Sequence, residues 1–312
     1  MISSQSEFST YKYPVITMGT FDGVHLGHQA LLKKVKERAV LNGGEAIAIT
    51  YYQHPKGILS NINTPYLLTE RERKTSILNS MGIDNVVYLS FNEEMSKRSA
   101  DFFLQEVLIN RLGAKEIVFG YDCHFGHNRG GNCQFLKENE TKYGYSSFIV
   151  EPVVINDQIV SSSLIRKLII EGKVEEAKAY LGRSYDLNGK VVHGLRIGRE
   201  IGFPTMNIKP ADEAKLLPSN GVYFGSAIID GKRYHCLTNI GYAPTVKDTN
   251  ERSVESFLLD FQGEVYGQTV TIDFIKRIRD EVKFPNRETL IAAIKSDVQI
   301  ALNLINSQNR TG

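Results

Sequence analysis

Hydrophobic and polar positions follow two different rhythms along the chain. Up to about Gly182, short apolar runs alternate with segments in which apolar residues recur at helical spacing. The runs predict strands at residues 15–18, 46–51, 85–89 and 116–119. The helical spacing predicts helices at residues 29–36, 70–80, 100–111, 164–171 and 174–181, the last two ended by Gly172 and Gly182. Strands separated by helices predict a parallel sheet with right-handed crossovers.

After Ser184 the pattern becomes β-rich. Strands are predicted within residues 190–193, 221–229, 233–240, 253–261 and 268–278, and Asp230-Gly231 is a strong hairpin signal. An antiparallel sheet or small barrel is therefore expected. A final helix is predicted from Asn286 to Ile305, with an apolar stripe that packs on the barrel. The stripe consists of Leu290, Ile294, Val298, Leu302 and Ile305.

These patterns predict an α/β protein of two domains. Residues 1–183 form a Rossmann-like domain with a parallel sheet, and residues 184–312 form an antiparallel β-barrel with a terminal helix. The formal net charge of +2 gives no strong field for nucleic acid or an anionic membrane. The polar N-terminus and the lack of a long apolar run argue against a signal peptide or membrane anchor. Three cysteines without C-x-x-C spacing fit reduced thiols in the cytoplasm.

The segment GTFDGVHLGH, residues 19–28, is the most informative motif. A strand, a glycine-containing turn and a helix are where α/β proteins bind nucleotide phosphates. His25 and His28 lie three residues apart and can face one polyphosphate; the alternative is that His25 caps the turn and His28 packs on the sheet. The motif resembles the H-x-G-H signature of the nucleotidylyltransferase superfamily. The candidate nucleotide-binding residues of the turn are Gly19, Phe21, Asp22, Gly23 and Gly27.

A second candidate site starts a predicted helix at VSSSLIR, residues 160–166. Hydroxyl residues in a first helical turn can cap the helix or donate to phosphate, and Arg166 is one turn further on. The plain alternative is an ordinary cap with a solvated arginine. The spacing matches the S-S-T-x-I-R element of the same superfamily, with Ser163 in place of threonine. Ser161, Ser162 and Ser163 are therefore candidate nucleotide-binding residues.

A glycine-rich loop at residues 119–131 follows a predicted strand and suits approach to a base, ribose or phosphate. Cys123, His124, His127 and Cys133 have residue types that suit zinc, but the spacing matches no common zinc pattern. Asp122 and Phe125 are candidate residues of a ligand-binding loop instead. The segment 51–55 is a weaker candidate near the nucleotide.

The segment 194–207 contains three glycines at intervals of four, Gly194, Gly198 and Gly202, followed by a short strand. With Arg199, such a loop can wrap a phosphate-bearing ligand. Thr205 and Asn207 share one face of the strand and offer hard oxygen ligands for Mg²⁺. The alternative is a tight loop with two polar strand residues. The sequence contains no P-loop signature.

Two further polar residues lie in predicted strands of the second half. Alternation places Glu255 on one face with Phe257 and Leu259, expected to be the inner face, where the carboxylate would serve as a base. The alternative is a solvated strand face. Asn239 begins a turn, residues 239–245, that could close over a ligand.

Together these motifs occur in the order that is typical of bacterial bifunctional riboflavin kinase/FAD synthetases, which the chain resembles from about Tyr13 to Ile305. The resemblance implies a barrel that phosphorylates riboflavin with ATP and an N-terminal domain that joins FMN to the adenylyl part of ATP. It implies His25 and His28 on the ATP phosphates, Arg166 and the serines on pyrophosphate, and Mg²⁺ on Thr205 and Asn207. It implies Glu255 as the group that orients or deprotonates the ribityl hydroxyl, and Asp122, Phe125 and Asn239 at the flavin.

Two departures and two rival hypotheses accompany this resemblance. Cys123-His124 and Gln53 stand where the family more often has other residue types, and the first is expected to alter FMN affinity. The rivals are an enzyme with one degenerate half and a non-catalytic flavin-binding regulator. Expected partners are the small-molecule substrates ATP, riboflavin and FMN, with FAD as product, on a monomer or weak homo-oligomer.

Overall fold

A computed structural model describes residues 11–52, 65–194, 197–242 and 252–311. The contacts of the chain divide it into two compact units, Met1–Ser162 and Ser163–Gly312. This division lies upstream of the predicted domain boundary at residues 183/184. The helices at residues 164–181 are thus grouped with the barrel, and the functional boundary stays a prediction.

The first unit contains a five-stranded parallel sheet in the order β3-β2-β1-β4-β5. Its strands are β1 Pro14–Met18, β2 Glu45–Tyr51, β3 Asn85–Leu89, β4 Glu116–Gly120 and β5 Ser146–Val150. The four predicted strands are confirmed. Strand β5 was not predicted: it lies at the edge of the sheet and begins with two serines, and its apolar run is limited to residues 148–150, of which Ile149 is half exposed.

Helices and short turns connect these strands. They are α1 Leu26–Leu41, α2 Arg71–Ser80, α3 Glu93–Ser96, α4 Ala100–Phe102 with the π-helical segment Phe103–Arg111, a 3₁₀ turn His127–Arg129, α5 Cys133–Glu138 and α6 Glu140–Tyr143. A small hairpin, β6 Val154–Ile155 and β7 Gln158–Ile159, precedes the end of the unit. Ile16 and Val15 of β1 are both fully buried but belong to two different core clusters. The central strand is therefore covered on both faces, as a parallel sheet requires.

The second unit begins within α7, Ser162–Ile170, and continues with α8, Val174–Leu181. Gly172 and Gly182 have φ of +73° and +72°, the left-handed conformation of a helix C-terminus, which confirms both predicted caps. The backbone N–H of Ser219 donates to the Ile169 carbonyl at 3.2 Å, and that of Arg277 to the Glu175 carboxylate at 3.3 Å. The two helices therefore pack on the barrel that follows.

The barrel is closed, antiparallel and six-stranded, in the order β10-β11-β12-β9-β8-β13. Its strands are β8 Tyr185–Val192, β9 Thr205–Pro210, β10 Gly221–Ile229, β11 Lys232–Tyr242, β12 Arg252–Leu258 and β13 Thr269–Arg279, with the short helix α9 Ile197–Glu200 before β9. Asp230 and Gly231 have positive φ in the turn between β10 and β11, as the hairpin signal predicts. The predicted small barrel is confirmed.

The terminal helix α10, Arg287–Thr311, packs on the outside of the barrel. Asn286 caps it, accepting from the Thr289 N–H at 2.9 Å. The predicted stripe is wrong at one position: Leu302 is 38% exposed, and Ala301 is fully buried against the barrel instead. The small alanine lets the helix approach closely. Among the described residues, no helix has both the length and the apolarity to cross a membrane.

Candidate active sites

The turn between β1 and α1 has an unusual backbone. Phe21, Gly23 and Val24 have φ of +47°, +86° and +38°. A positive φ is rare for a bulky or β-branched residue and costs about 1–3 kcal/mol, so the surroundings must hold it in place. The Phe21 ring is fully buried and lies 5.3 Å from the His28 ring, edge to face. The buried Phe21 ring therefore packs against His28 and stabilises the turn.

Asp22 anchors this turn to two other segments. Its buried carboxylate accepts from the backbone N–H groups of Leu68 and Thr69, each at 3.0 Å. Its carbonyl accepts from Ser162 Oγ at 2.8 Å. The structure thus joins the first and second predicted motifs of the N-terminal half at Asp22 and Ser162. Asp22 shapes the turn, as the resemblance implies.

His25 and His28 form a stacked pair at the start of α1. Their ring centroids are 3.7 Å apart with 17° between the planes. His25 Nδ1 accepts from the His28 backbone N–H at 3.3 Å, which leaves its proton on Nε2. A Cβ on Gly27 would lie 3.2 Å from the His25 ring, so glycine suits this position. His25 therefore does cap the helix, and the cap itself fixes the ring that faces His28.

The His28 imidazole is neutral near pH 7. Its Nδ1 is buried and has no hydrogen-bond partner among the described residues. Burial lowers its pKa well below 6.5, and the neighbouring His25 and Lys74 lower it further. His28 is thus an N–H donor rather than a cation.

The positions of these groups match a general rule for open α/β sheets. Strands β1 and β4 are neighbours in the sheet although they are not consecutive in the chain. Ligands of such sheets bind outside the carboxyl ends of the strands where the strand order switches. The turn after Met18 and the loop after Gly120 are at those ends. The two predicted ligand-binding loops therefore follow the two strands that form the switch point.

Arg166 and the serines start α7. Ser162 is the residue bound to the turn, Ser163 is exposed, and Arg166 is half-buried one helical turn beyond Ser162. Gly19 donates its N–H to the Ile49 carbonyl at 3.0 Å, which ties the start of the turn to β2. The roles predicted for Ser161, Ser163 and Arg166 toward pyrophosphate stay predictions.

The loop after β4 is built around Phe125. Its ring is 7% exposed and packs between Phe103 and Phe135, at 5.7 and 6.0 Å between centroids. A Cβ on Gly131 would lie 2.5 Å from the same ring. Phe125 therefore anchors the loop in the core, whereas Asp122 is exposed on it. Their contact with a flavin stays a prediction.

The zinc hypothesis for this loop gains no support. Among the described residues, no three His, Cys, Asp or Glu side chains come together as a metal-binding group. Burial raises the Cys123 pKa to about 12, so its thiol stays protonated. Cys133 Sγ lies 3.4 Å from the Tyr121 carbonyl oxygen and donates to it.

The barrel brings the predicted kinase residues together in one row. Glu255 of β12 is paired with Asn207 of β9 on one side and with Asn239 of β11 on the other. Directly opposite residues in a sheet have Cβ atoms about 5 Å apart, so the three side chains are neighbours. Thr205 Oγ1 donates to the Glu255 carboxylate at 3.3 Å.

Glu255 is on the outer wall of the barrel, so the expected inner face was wrong. Val254, Ser256 and Leu258 are the buried residues of β12, and Ser256 meets Thr238 inside the barrel. Phe257 and Leu259 pack with α10 outside it. Burial raises the Glu255 pKa above 4.5, although the Thr205 hydrogen bond lowers it somewhat. A carboxylate that is half-buried among polar groups fits a base better than a solvated one.

Two of the three predicted loop glycines pack against this row. A Cβ on Gly194 would lie 2.1 Å from Asn207 Nδ2, and a Cβ on Gly198 would lie 2.4 Å from the Phe203 carbonyl oxygen and 3.2 Å from Thr205 Oγ1. Gly202 has a φ of +85° with open space around it, so it serves the turn. The glycines thus let the loop backbone lie directly on Thr205 and Asn207.

A cavity of about 80 Å³ opens beside Thr205. Arg199 and Glu264 line it, joined by an ion pair at 3.2 Å between exposed side chains. Tyr266 also lines it and stacks on His193 at 4.1 Å between centroids. Arg199 therefore borders the space beside Thr205, and its nucleotide role stays a prediction.

Sequence reasoning missed Lys74 at the first site. A lysine within a helix reads as a solvated residue, yet Lys74 of α2 is buried, and its ammonium donates to the Thr20 carbonyl at 2.8 Å. The spacing of α2 carries no signal for this contact.

Three predicted elements lie outside the described residues: the segment 53–55, residues 195–196 of the glycine loop, and residues 243–245 of the turn after Asn239.

Comparison with known families matches both halves of the chain. The FAD synthetase family matches residues 8–164, and the riboflavin kinase family matches residues 181–305. The chain belongs to the bifunctional riboflavin kinase/FMN adenylyltransferase family. A member from Listeria monocytogenes is 36% identical over 91% of this chain and 90% of its own length. A member from Pseudomonas fluorescens is 33% identical over 92% and 91%.

A solved structure shares the fold over nearly the whole chain. It is described as a macrolide-efflux protein from Streptococcus pneumoniae and is 30% identical, with a TM-score of 0.85 over 97% of this chain and 96% of its own. The likeness therefore covers both units. The chain has the two domains of a transferase with riboflavin kinase and FAD synthetase halves.

Proposed function

We propose that this chain makes FMN from riboflavin and ATP in its barrel, and FAD and pyrophosphate from FMN and a second ATP in its N-terminal half. The observation that carries the proposal is that each half retains an assembled site. His25 stacks on His28 in one, and Thr205 bonds to Glu255 in the other. A degenerate half or a non-catalytic regulator would not need both.

In the kinase half, the residues present fit Mg²⁺. Thr205 and Asn207 supply a hydroxyl and an amide oxygen, and a Cβ on Gly194 or Gly198 would fill the space against them. Mg²⁺, when bound there, would neutralise charge on the ATP phosphates. Glu255 accepts the proton of the terminal ribityl hydroxyl as its oxygen bonds to the γ-phosphorus and ADP leaves. Gly194, Gly198, Arg199 and Gly202 hold the nucleotide, and Asn239 orients the flavin.

In the transferase half, a phosphate oxygen of FMN attacks the α-phosphorus of ATP and pyrophosphate leaves. His25 donates from Nε2, and the neutral His28 donates an N–H, to phosphate oxygens on which charge builds. Arg166 and the serines at residues 161–163 hold the leaving pyrophosphate. Asp122 and Phe125 belong to the flavin loop. Because no covalent enzyme intermediate is formed, catalysis rests on positioning and electrostatics.

The remaining parts of the proposal concern the setting of the enzyme. We infer that it acts in the cytoplasm, as a monomer or weak homo-oligomer, on small-molecule substrates and without nucleic acid. The near-neutral net charge of +2 is the observation behind the last point.

One incubation tests the proposal. The chain is mixed with Mg²⁺ and ATP and with either riboflavin or FMN, and the flavins are separated by chromatography. Riboflavin should yield FMN and then FAD, and FMN should yield FAD with one pyrophosphate per FAD. Accumulation of FMN without FAD would mean that only the kinase half is active. The absence of any conversion from either flavin would overturn the proposal.

A further inference from the structure

Lys74 is a buried cation that contacts the turn between β1 and α1 (the nucleotide turn). The residue is 7% exposed, and its Nζ donates to the Thr20 carbonyl at 2.8 Å. Thr50 Oγ1 donates to the same oxygen at 3.1 Å. A lysine is almost never buried unless its charge is compensated, because removing an ammonium from water is costly. Asp22 of the same turn raises the Lys74 pKa, but burial outweighs that effect and lowers it.

The contact controls the shape of the turn. The Thr20 carbonyl directly precedes Phe21, which has a left-handed φ of +47°. In a planar trans peptide the N–H points opposite the carbonyl, so fixing the Thr20 oxygen toward Lys74 aims the Phe21 N–H away from it. Lys74 also reaches the turn from α2, whereas the Asp22 carboxylate reaches the segment just before α2. Both contacts hold the same strained backbone.

The ammonium bonds to the carbonyl of the residue before Phe21, whose ring lies 5.3 Å from the His28 ring. The Lys74 ammonium and His25 both act electrostatically on His28. Each of them disfavours a positive charge on the His28 ring. Asp22 is the opposing negative group beside Lys74. The His28 ring stacks on the His25 ring at 3.7 Å between centroids and is neutral. The fixed lysine therefore supplies positive charge that His28 does not. Inside a protein such a charge is screened much less than at a surface.

We propose that Lys74 is a positioning residue for adenylyl transfer, which holds the nucleotide turn through Thr20 and provides fixed positive charge beside His28. The inference rests on the proposed FMN adenylyltransferase function. It assigns to α2 a part in the site that the H-x-G-H motif alone does not include. Lys33 of α1 provides the contrast, because its side chain is 77% exposed and pairs with Glu37 on the surface.

The test compares Lys74→Met, Lys74→Arg and the control Lys33→Met in the full chain. Lys74→Met should lower kcat for FAD synthesis from FMN by about 10²-fold, the usual cost of one preorganised electrostatic partner. Lys74→Arg keeps the charge and should recover at least part of the rate. Lys33→Met should stay within threefold of the parent chain. Riboflavin phosphorylation, measured in each sample, reports whether the chain is folded.

A second readout separates positioning from a merely structural role. The His28 pKa, followed by NMR of the imidazole carbon-bound protons, should rise in Lys74→Met and stay low in Lys74→Arg. If FAD synthesis by Lys74→Met stays within threefold and the His28 titration is unmoved, the proposal is wrong. If the parent chain itself makes no FAD from FMN, the proposed function fails instead. If Lys74→Met does not fold, Lys74→Gln takes its place in both measurements: a rate within threefold of the parent chain with an unmoved His28 titration in that folded variant overturns the proposal.

Discussion

The backbone of Gly194 lies against the side-chain amide of Asn207, so closely that a Cβ on Gly194 would be 2.1 Å from Asn207 Nδ2. Two heavy atoms that are not bonded to each other cannot stay at that distance, so one of them must move. Either the loop at residue 194 or the Asn207 amide must shift when any side chain is added. Because Asn207 is the residue opposite Glu255, the displacement would reach the proposed metal ligand and the proposed base together.

Gly194→Ala should therefore lower riboflavin phosphorylation by about 10²-fold, the cost of a misplacement of about 1 Å in a reacting group. FAD synthesis from supplied FMN should be unchanged, since none of the residues proposed for it lies in the segment 194–207 or in the row beside it. Both rates are measured on one sample, so the second is the control. A kinase rate within threefold of the parent chain would show that the loop can move aside without disturbing Asn207.

The two-unit division predicts which fragment of the kinase half folds. Val174 and Leu181 of α8 are fully buried, and Gly172 lies against Ser219 and Tyr223. Residues 163–312 should fold alone and make FMN but no FAD. Residues 184–312 lack α7 and α8 and should melt at a lower temperature, because the barrel surface that those helices cover becomes exposed. Thermal unfolding followed by circular dichroism compares the two; equal melting temperatures would place the true boundary at residue 184.

His28→Ala tests the histidine pair. Removing one preorganised phosphate partner should slow FAD synthesis by about 10²–10³-fold and leave the kinase nearly intact. The variant should therefore convert riboflavin to FMN and accumulate it. Equal loss of both activities would mean that the ring only supports the fold.

The same residue predicts how stability depends on pH. The folded-state pKa of His28 is lowered, so on acidification the unfolded chain takes up the proton first. Its contribution is fully present above about pH 6.5 and is lost as pH falls from there toward the folded-state pKa, by up to about 1.4 kcal/mol per pH unit. Urea unfolding of the parent chain and His28→Gln at pH 7.5, 6.5 and 5.5 measures it. The variant should lose less stability on acidification; parallel pH profiles would contradict the lowered pKa.

The sequence predicted most of the fold because apolar runs and turn residues are local signals. It missed β5, an edge strand that begins with Ser146 and Ser147 and leaves Ile149 exposed. Alternation showed that Glu255 and Phe257 share a face, but which side of a sheet becomes the interior depends on the closed barrel and on α10. The buried environment of Lys74 likewise depends on where α2 packs, which no spacing within α2 records.

The candidate sites were predictable to the same extent. Each motif could be recognised from its own residues, including the hydroxyl and amide of Thr205 and Asn207 on one strand face. The row Asn207–Glu255–Asn239 could not be predicted from the sequence. It depends on the register between three strands that are far apart in the chain. The close contact of Gly194 with Asn207 depends on the same register.

Glu255→Gln is the sharpest test of the kinase site. Glutamine keeps the size of glutamate and can still accept a hydrogen bond from Thr205, but it cannot take up a proton near neutral pH. If Glu255 is the base, riboflavin phosphorylation should fall by about 10²–10⁴-fold, the usual contribution of a positioned base. Riboflavin binding, the melting temperature and FAD synthesis from FMN should barely change. The matched control is Glu288→Gln, an exposed carboxylate in the first turn of α10.

A pH profile of riboflavin phosphorylation then shows whether the Glu255 carboxyl is the group that must be deprotonated for the reaction. Burial raises the Glu255 pKa above 4.5, so kcat/KM for riboflavin should decline on acidification with a midpoint above that value. The decline should be present in Glu288→Gln and absent from the residual activity of Glu255→Gln, which has no carboxyl to protonate. If Glu255→Gln retains a rate within threefold of the parent chain, or retains the same acid limb, then Glu255 only completes the polar row beside Thr205 and another group removes the proton.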